Sequence, residues 1–214
     1  MTREDIKALA VSLNIDHLVH FTQATNLPTI IKHGLYPVGR AGEIGITPQI
    51  NDHLRLDGHT DSTSLSINFP NDKMFYKYRM ADPTIGWAVL VLPRKILWEK
   101  DCAFCNDNAA STSISSQSLD ALKTVEAFEN IFKEDAILNL REEQRLKPHD
   151  PTNVQAEVLA FDVIEPRYIK FIALDSDATM NAYKHLLVGN CRPWPKAGRM
   201  TFFSTRKQYR AFGN

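Results

Sequence analysis

The sequence predicts an α+β protein. Segments with helically spaced apolar residues are interspersed with segments that alternate or run continuously apolar, without the regular strand–helix–strand order of a parallel sheet. Neither a G-x-G-x-x-G after a predicted strand nor a P-loop occurs, so these nucleotide-binding motifs are not indicated. The chain of 214 residues is long enough for one sizeable domain and short for two. We therefore expect residues 1–214 to form a single domain.

Apolar spacing and turn residues predict the elements of the first half of the chain. Residues 3–13 and 24–33 predict helices, and Gly34 closes the second one. Residues 39–61 form a polar, glycine-rich loop, and a loop of this length is either functional or disordered. The predicted strands are residues 15–22, the alternating segment 62–69, and the continuous apolar run 87–92, which is typical of a buried strand.

The second half of the chain is less periodic. Residues 73–79 are short, aromatic and basic, and fit a helix or a strand. Residues 102–118 predict a loop, and residues 118–132 predict a helix that Ser118 caps. The remaining predictions are a charged surface segment at 142–150, strands at 153–161, 168–174 and 201–204, and a helix at 178–187.

Composition and charge exclude several classes of protein. Hydrophobic residues make up 43% and charged residues 23%, which is ordinary for a folded globular chain. The 25 basic residues equal the 25 acidic ones, so global charge identifies no partner. No window approaches the roughly 18 apolar residues of a membrane span, and residues 1–5 lack a signal-peptide pattern. We therefore expect a cytoplasmic, monomeric protein.

The three cysteines do not predict a metal site. Cys102 and Cys105 form a single C-x-x-C, and Cys191 stands alone. A structural zinc site would need a second pair or histidines at ligand spacing, and neither is present in the sequence. We expect reduced thiols and no metal.

Within the predicted strand at 153–161, Gln155 and Glu157 are polar residues that the packing of a core does not require. Side chains alternate along a strand, so Gln155 and Glu157 are expected on one face and apolar residues on the other. One interpretation is the solvated face of an antiparallel strand. The other is that Glu157 takes part in chemistry.

Two other segments favour the chemical interpretation. The predicted strand at 15–22 places His20 and Thr22 on one face, and the glycine-rich loop contains Arg55. Arginine binds phosphate through bidentate, charge-assisted hydrogen bonds, and a carboxylate accepts hydrogen bonds from ribose hydroxyls. Together these residues indicate a cleft for an anionic, polyhydroxylated ligand.

The same residues carry a resemblance to a known family. His20-Phe21-Thr22 resembles the H-x-T motif on the first strand of the DarT-type DNA ADP-ribosyltransferases, and Gln155-Ala156-Glu157 is similar to the Q-A-E run of their catalytic glutamate. Arg55-Leu56-Asp57-Gly58 lies where the family has its NAD-binding loop and catalytic arginine. The resemblance covers roughly residues 15–175. It implies a mono-ADP-ribosyltransferase fold, with a split, twisted β core and helices flanking an NAD cleft.

The resemblance also implies roles for these residues, with NAD as co-substrate. Cleavage of the nicotinamide–ribose bond develops positive charge on the ribose, which Glu157 would stabilise. Arg55 would hold the pyrophosphate or orient the acceptor as a second catalytic residue. The further residues expected to bind NAD are His20 at a ribose hydroxyl, Thr22 near the nicotinamide amide, Gln155 at the ribose or acceptor, and Tyr76, which would stack on nicotinamide or on the acceptor base.

The family resemblance implies that the acceptor is a base in single-stranded DNA. Residues 190–214 carry six basic residues and no acidic one, with aromatic residues between them, a composition that suits an unpaired strand. The alternative is a terminal strand with a solvated, positive flank. The residues expected to contact DNA are Arg206 and Lys207 in this segment and Lys73, Lys77, Tyr78 and Arg79 earlier in the chain.

The resemblance favours guanine as the modified base. The thymine-modifying branch carries an H-D-Y-V-P-F-Y-F-like run, and residues 64–79 do not match it. Such enzymes are toxins of bacterial toxin–antitoxin and phage-defence systems, paired with an antitoxin that removes ADP-ribose from the base. The alternatives are transfer to thymine, RNA or protein, NAD glycohydrolase activity, and an inactive NAD- or nucleic-acid-binding module. The presence of Glu157 argues against the last, because binding alone does not need the carboxylate.

Overall fold

The computed structural model describes residues 3–45, 47, 49, 58–187, 192–193 and 201–212. Helices and a mixed sheet alternate irregularly along this part of the chain, which confirms the α+β prediction. The α-helices are α1 (Arg3–Ser12), α2 (Leu27–His33), α3 (Asp72–Ala81), α4 (Ile96–Glu99), α5 (Thr112–Ser115), α6 (Leu119–Leu122), α7 (Val125–Asn130), α8 (Asp177–Tyr183) and α9 (Arg206–Phe212). The strands are β1 (His17–Gln23), β2 (Thr63–Ile67), β3 (Trp87–Pro93), β4 (Cys102–Cys105), β5 (Glu157–Ala160), β6 (Phe171–Leu174) and β7 (Arg192–Pro193).

The sheet has a weak seam between β1 and β2. Its strand order is β4-β5-β2-β1-β3-β6-β7, and neighbouring strands are antiparallel except for the parallel pair β6 and β7. β1 pairs with β3 along its whole length, whereas it pairs with β2 only through Leu18 opposite Ile67 and Val19 opposite Ser66. The two halves therefore separate beyond Val19, as the predicted split β core requires.

β3 is buried because apolar clusters cover both faces of the sheet. Helices α1, α2, α4 and α7 contribute to the larger cluster, and α3 contributes to the smaller one. The larger cluster receives Ala88, Leu90 and Leu92 from β3, and the smaller receives Trp87, Val89 and Val91. Alternate residues of the strand thus face different cores, which explains its continuous apolar run.

Several predicted elements are confirmed by the structure. They are the helices at 3–13, 24–33 and 178–187 and the strands at 15–22, 62–69, 87–92 and 168–174, each with shifted ends. Gly34 ends α2 with a φ of 97°, and a Cβ there would collide with the carbonyl oxygen of Ile164. No helix in the described ranges is long and apolar enough to cross a membrane.

Four predicted elements differ in the structure. The helix at 118–132 is two helices, because Thr124 adopts an extended conformation and its hydroxyl caps α7 at Ala127 N. The loop predicted at 102–118 begins with β4, which pairs with β5. The strand predicted at 201–204 is a turn that leads into α9. The strand predicted at 153–161 begins only at Glu157, since residues 153–156 form a turn.

The segment that fitted a helix or a strand is helical. Asn71 caps α3, since its side-chain oxygen accepts a hydrogen bond from Met74 N at 3.1 Å. Phe75 of α3 is buried in the smaller cluster, so this helix covers that face of the sheet. The glycine-rich loop begins as a 3-10 helix, Val38–Ile44, and its residues 46, 48 and 50–57 lie outside the described residues.

Candidate active site

A cavity of about 370 Å³ lies at the seam between β1 and β2. Residues from both apolar clusters line it, including Ile30 and Leu35 of the larger and Val19 and Phe21 of the smaller. Its polar lining includes His20, Thr22, Ser64, Asn108 and Glu157. A largely apolar cavity with a few convergent polar groups is typical of a small-molecule site.

His20 links the two strands where their pairing has ended. Its Nδ1 lies 2.9 Å from the carbonyl oxygen of Ser64. Because a carbonyl oxygen only accepts, Nδ1 carries the proton, and Nε2 of the neutral ring is then an acceptor. His20 lines the cavity, so the hydrogen bond to Ser64 fixes both the tautomer and the position of the ring at the site.

Thr22 connects the site to the glycine-rich loop through Asn26. The hydroxyl of Thr22, which is buried, accepts a hydrogen bond from Asn26 Nδ2 at 2.9 Å. The amide of Asn26 also donates to Gln49 O at 2.9 Å and accepts from Gln49 N at 3.0 Å. Asn26 thus holds β1 against the chain segment that leads to Arg55. Arg55 itself lies outside the described residues.

Glu157 lies at the first position of β5 and is 7% exposed. Its Oε2 accepts a hydrogen bond from Ser64 Oγ at 2.9 Å, and its Oε1 accepts one from Asn108 Nδ2 at 2.8 Å. A buried carboxylate requires such donors. The structure therefore brings Glu157, His20 and Thr22 to one cavity.

Sequence reasoning missed Ser64 and Asn108. For Ser64 a signal existed, because it is one of the polar positions of the alternating segment 62–69. Asn108 follows β4 in a segment predicted as a loop, and no motif in the sequence identifies it.

Gln155 does not share a strand face with Glu157. It lies in the turn before β5, where its backbone N–H donates to Asn153 Oδ1 at 3.0 Å. It is not among the residues that line the cavity. The predicted alternation of Gln155 and Glu157 along one strand is therefore wrong, because the strand starts at Glu157.

The predicted aromatic and basic residues of α3 lie on two faces of that helix. Tyr78 lines the cavity, whereas Tyr76 is 60% exposed and does not line it. Lys73, Tyr76, Lys77 and Met80 are exposed and share one face at helical steps, which we term the outer face of α3. The structure thus separates Tyr76 from the predicted NAD-binding residues and groups it with two lysines.

Arg206 is buried within the protein, which corrects its prediction as a DNA contact, and the half-buried Arg79 also makes contacts within the protein. The guanidinium of Arg79 lies 5.4 Å from the ring centroid of Phe75 and 5.3 Å from that of Phe203. It also donates to the carbonyl oxygen of Phe203 at 2.7 Å. Arg206 is 6% exposed, and burial lowers its pKa to about 10. Lys207, the next residue on α9, is exposed.

Three arginines fix the segment that precedes Glu157. Arg206 donates to the carbonyl oxygens of Pro151 at 2.6 Å and Thr152 at 3.2 Å. Arg210 forms an ion pair with the fully buried Asp150, and Arg141 donates to the Asp150 carbonyl oxygen at 2.8 Å. Helix α9 therefore stabilises the chain that leads into β5.

The cysteines of β4 are part of the packing. Cys102 and Cys105 are buried, and burial raises the pKa of the Cys102 thiol to about 12. Cys191 lies outside the described residues. Among the described residues, no cluster of three or more histidine, cysteine or acidic side chains could hold a metal ion.

The fold is similar to that of solved DarT and DarTG structures. Thermosipho africanus DarTG in complex with ADP-ribose is 19% identical, with a TM-score of 0.57 over 88% of this chain and 51% of the other. This chain thus spans about half the length of that protein. Thermus sp. 2.9 DarT in complex with ADP-ribosylated ssDNA is 14% identical, with a TM-score of 0.55 over 85% of this chain and 95% of the other. The same protein in complex with NAD+ is 13% identical, with a TM-score of 0.50 over 81% of this chain and 88% of the other.

These similarities establish the fold, and a family model gives the classification. No curated protein sequence matches the chain significantly. The family model described as "ssDNA thymidine ADP-ribosyltransferase, DarT" matches residues 19–197, which is most of the chain and includes His20, Thr22 and Glu157. The chain belongs to the DarT family of ADP-ribosyltransferases.

Proposed function

We propose that this protein transfers ADP-ribose from NAD to a base in single-stranded DNA and releases nicotinamide, with the whole chain acting as one monomeric domain. The observation that carries the proposal is the buried carboxylate of Glu157, held at the seam of the sheet beside His20 and Thr22. Family membership and the fold shared with proteins that bind NAD and ADP-ribosylated ssDNA support it.

The cavity suits the parts of NAD. Its volume of about 370 Å³ lies within the range of small-molecule sites, and its lining combines apolar residues such as Ile30 and Leu35 with the polar group around Glu157. In our proposal the Nε2 atom of His20 accepts a hydrogen bond from a ribose hydroxyl. Thr22 contacts the nicotinamide amide through its hydroxyl.

The ribose is the part of NAD where charge develops during the reaction. As the nicotinamide bond breaks, positive charge develops on the sugar, and the fixed carboxylate of Glu157 stabilises it in a site with little water. Arg55 is proposed to hold the pyrophosphate or to orient the acceptor. Gln155, which lies in the turn before Glu157 and does not line the cavity, is proposed to position the acceptor.

The outer face of α3 is the proposed path of the DNA strand. Lys73 and Lys77 flank the exposed ring of Tyr76, and lysines follow phosphates while aromatic rings stack on unpaired bases. Tyr78 lies on the cavity side of the same helix and can stack on the base that enters. Lys207 extends the positive surface.

We propose guanine as the modified base, because residues 64–79 lack the run typical of the thymine-modifying branch. The description of the family names thymidine, so thymine is the second candidate. The proposed biological role is that of a cytoplasmic toxin, paired with an antitoxin that removes ADP-ribose from DNA. A similar fold in a protein named DarTG supports a toxin–antitoxin role.

The test is incubation of the protein with NAD and four single-stranded oligonucleotides, each with one kind of base in a defined central position. Mass spectrometry would identify the modified strand, and chromatography would quantify released nicotinamide. We expect one ADP-ribose on the guanine strand and a loss of roughly 100-fold or more in the rate with Glu157→Gln. Addition to thymine would reject the proposed base but keep the reaction.

Other outcomes of this experiment identify the competing functions. Nicotinamide release with every strand unmodified would indicate an NAD glycohydrolase. If added RNA or the protein itself were modified while the DNA was not, the acceptor would be RNA or protein instead of a DNA base. Binding of NAD without any reaction would indicate an inactive binding module.

A further inference from the structure

We propose that Asn108 is a positioning residue for Glu157, one that sets the orientation and the charge state of the carboxylate in the transfer reaction. The inference rests on the proposed function and deepens it, since neither the sequence motifs nor the family description assigns a role to this residue. Its basis is the hydrogen bond from Asn108 Nδ2 to Glu157 Oε1, at 2.8 Å inside the cavity.

The two oxygens of Glu157 are held from two directions. Ser64 on β2 donates to Oε2, and Asn108 in the segment after β4 donates to Oε1. β2 and β4 lie on opposite sides of β5 in the sheet. A carboxylate held from both sides cannot rotate about its terminal bond without losing a donor. Asn108 therefore fixes the plane of the carboxylate as well as its place.

The orientation of the Asn108 amide is determined by its other partner. Asn108 Oδ1 accepts a hydrogen bond from Ala110 N at 2.9 Å. Because a backbone N–H only donates, this atom is the oxygen of the amide, and the nitrogen must face Glu157. The amide thus presents a donor to the carboxylate.

A chain of hydrogen bonds couples the Asn108 segment to the turn before β5. Asp107 Oδ1 accepts from Asn108 N at 2.8 Å and from Asn153 Nδ2 at 2.8 Å. Asn153 Oδ1 in turn accepts from Gln155 N at 3.0 Å. The same network therefore places Asn108 and the start of the strand that carries Glu157.

Replacement of the amide by a carboxylate reverses its electrostatic effect. Asn108→Asp keeps the shape of the side chain but removes the donor, and it places a second carboxylate beside Glu157. Two adjacent carboxylates share a proton, which raises the apparent pKa of the pair. A purely structural role for Asn108 would not shift the acid limb of the pH–rate profile.

The experiment compares wild type, Asn108→Asp, Asn108→Ala and the control Ser111→Ala. Ser111 lies in the same segment, is half-buried, and its hydroxyl contacts Ser113. Transfer kinetics would be measured from about pH 5.5 to 9. We expect the acid limb of kcat to move up by about one pH unit or more in Asn108→Asp. In Asn108→Ala we expect kcat to fall at least about tenfold with KM for NAD nearly unchanged, and Ser111→Ala should match wild type.

A second measurement needs no activity. The melting temperature of Asn108→Asp should approach that of wild type as the pH falls from about 8 to 5, because a shared proton relieves the repulsion. An unchanged acid limb, or a melting difference that is constant with pH, would overturn the positioning role. Inactive wild type would instead reject the proposed function, and the melting measurement would still test whether the side chain at position 108 faces the Glu157 carboxylate.

Discussion

At the scale of single residues, Tyr76 and Tyr78 lie two positions apart and have different surroundings. Tyr78 lines the cavity with its ring 6.3 Å from that of Phe21, whereas Tyr76 is 60% exposed beside two lysines. Stacking of one base is worth about 1–3 kcal/mol. We expect Tyr76→Ala to weaken binding of single-stranded DNA by about 5- to 150-fold and to leave NAD affinity unchanged. Because Tyr78 lines the cavity proposed for NAD, Tyr78→Ala should weaken NAD binding as well as stacking of the entering base.

Fluorescence anisotropy with a labelled oligonucleotide at fixed salt would measure DNA affinity, and calorimetry would measure NAD affinity. Val11→Ala provides the matched control, because Val11 is also exposed on a helix and lies on α1. Loss of NAD affinity in Tyr76→Ala, with DNA affinity intact, would reject the outer face of α3 as the DNA path.

The two tyrosines also show what the sequence can and cannot predict about a site. His20, Thr22 and Glu157 were predicted from their residue types together with the resemblance to the DarT family, and the structure brings them to one cavity. Residues two apart share a face in a strand but lie about 200° apart around a helix. Because residues 73–79 fitted either element, the sequence could not decide which tyrosine faces the cavity.

At the scale of elements, helix α9 carries two adjacent basic residues with different roles. Arg206 is buried and donates to Pro151 O and Thr152 O, whereas Lys207 is exposed. Removal of the buried guanidinium leaves these carbonyls without their donor. We expect Arg206→Met to lower the free energy of unfolding by about 2–4 kcal/mol and Lys207→Ala to change it by less than about 0.5 kcal/mol.

Urea unfolding would measure both free energies, and DNA binding at several salt concentrations would complete the comparison. Lys207→Ala should weaken DNA binding and reduce the slope of log affinity against log salt by about one. An Arg206→Met protein as stable as wild type would contradict the structural role that we assign to α9.

The elements that sequence analysis missed depend on distant partners. β4 is a four-residue strand whose identity comes from pairing with β5, more than 50 residues later in the chain. The break between α6 and α7 depends on Thr124, whose hydroxyl can cap a helix or lie within one. Segments such as β3 were predicted because their own apolar residues indicate burial, without reference to a distant partner.

At the scale of the whole molecule, the α+β fold class could be predicted from the sequence, whereas the order of the strands in the sheet could not. The site depends on the pairing of β2 with β5, which brings Ser64 to Glu157 across 93 positions of the chain. Local propensity does not specify a pairing at this separation, since many alternative partners have similar apolar patterns. The motifs indicate that His20, Thr22 and Glu157 belong to one site, and the strand order of the sheet brings them together.

The last prediction concerns the pH dependence of the stability of the whole fold, through His149. Its ring lies where the start of β1, Asn68 and α9 meet, with Arg210 Nη2 3.5 Å from Nε2, and Asn68 Nδ2 donates to the His149 carbonyl oxygen at 3.1 Å. Burial, together with the positive charges of Arg210 and His17, lowers the pKa of His149 below its usual 6.5, against the opposing effect of Asp150 and Asp16. As the pH falls below 6.5, the unfolded chain therefore takes up a proton that the folded protein does not, and the free energy of unfolding decreases by at most about 1.4 kcal/mol per pH unit.

Urea unfolding at several pH values between about 7.5 and 5 should show this loss in wild type and a smaller loss in His149→Gln, which has no group to titrate at this position. The lowered carboxyl pKa values of Asp16 and Glu99 reduce stability mainly below about pH 5, at the acid edge of this window. Parallel curves for wild type and His149→Gln would show that His149 does not control acid stability.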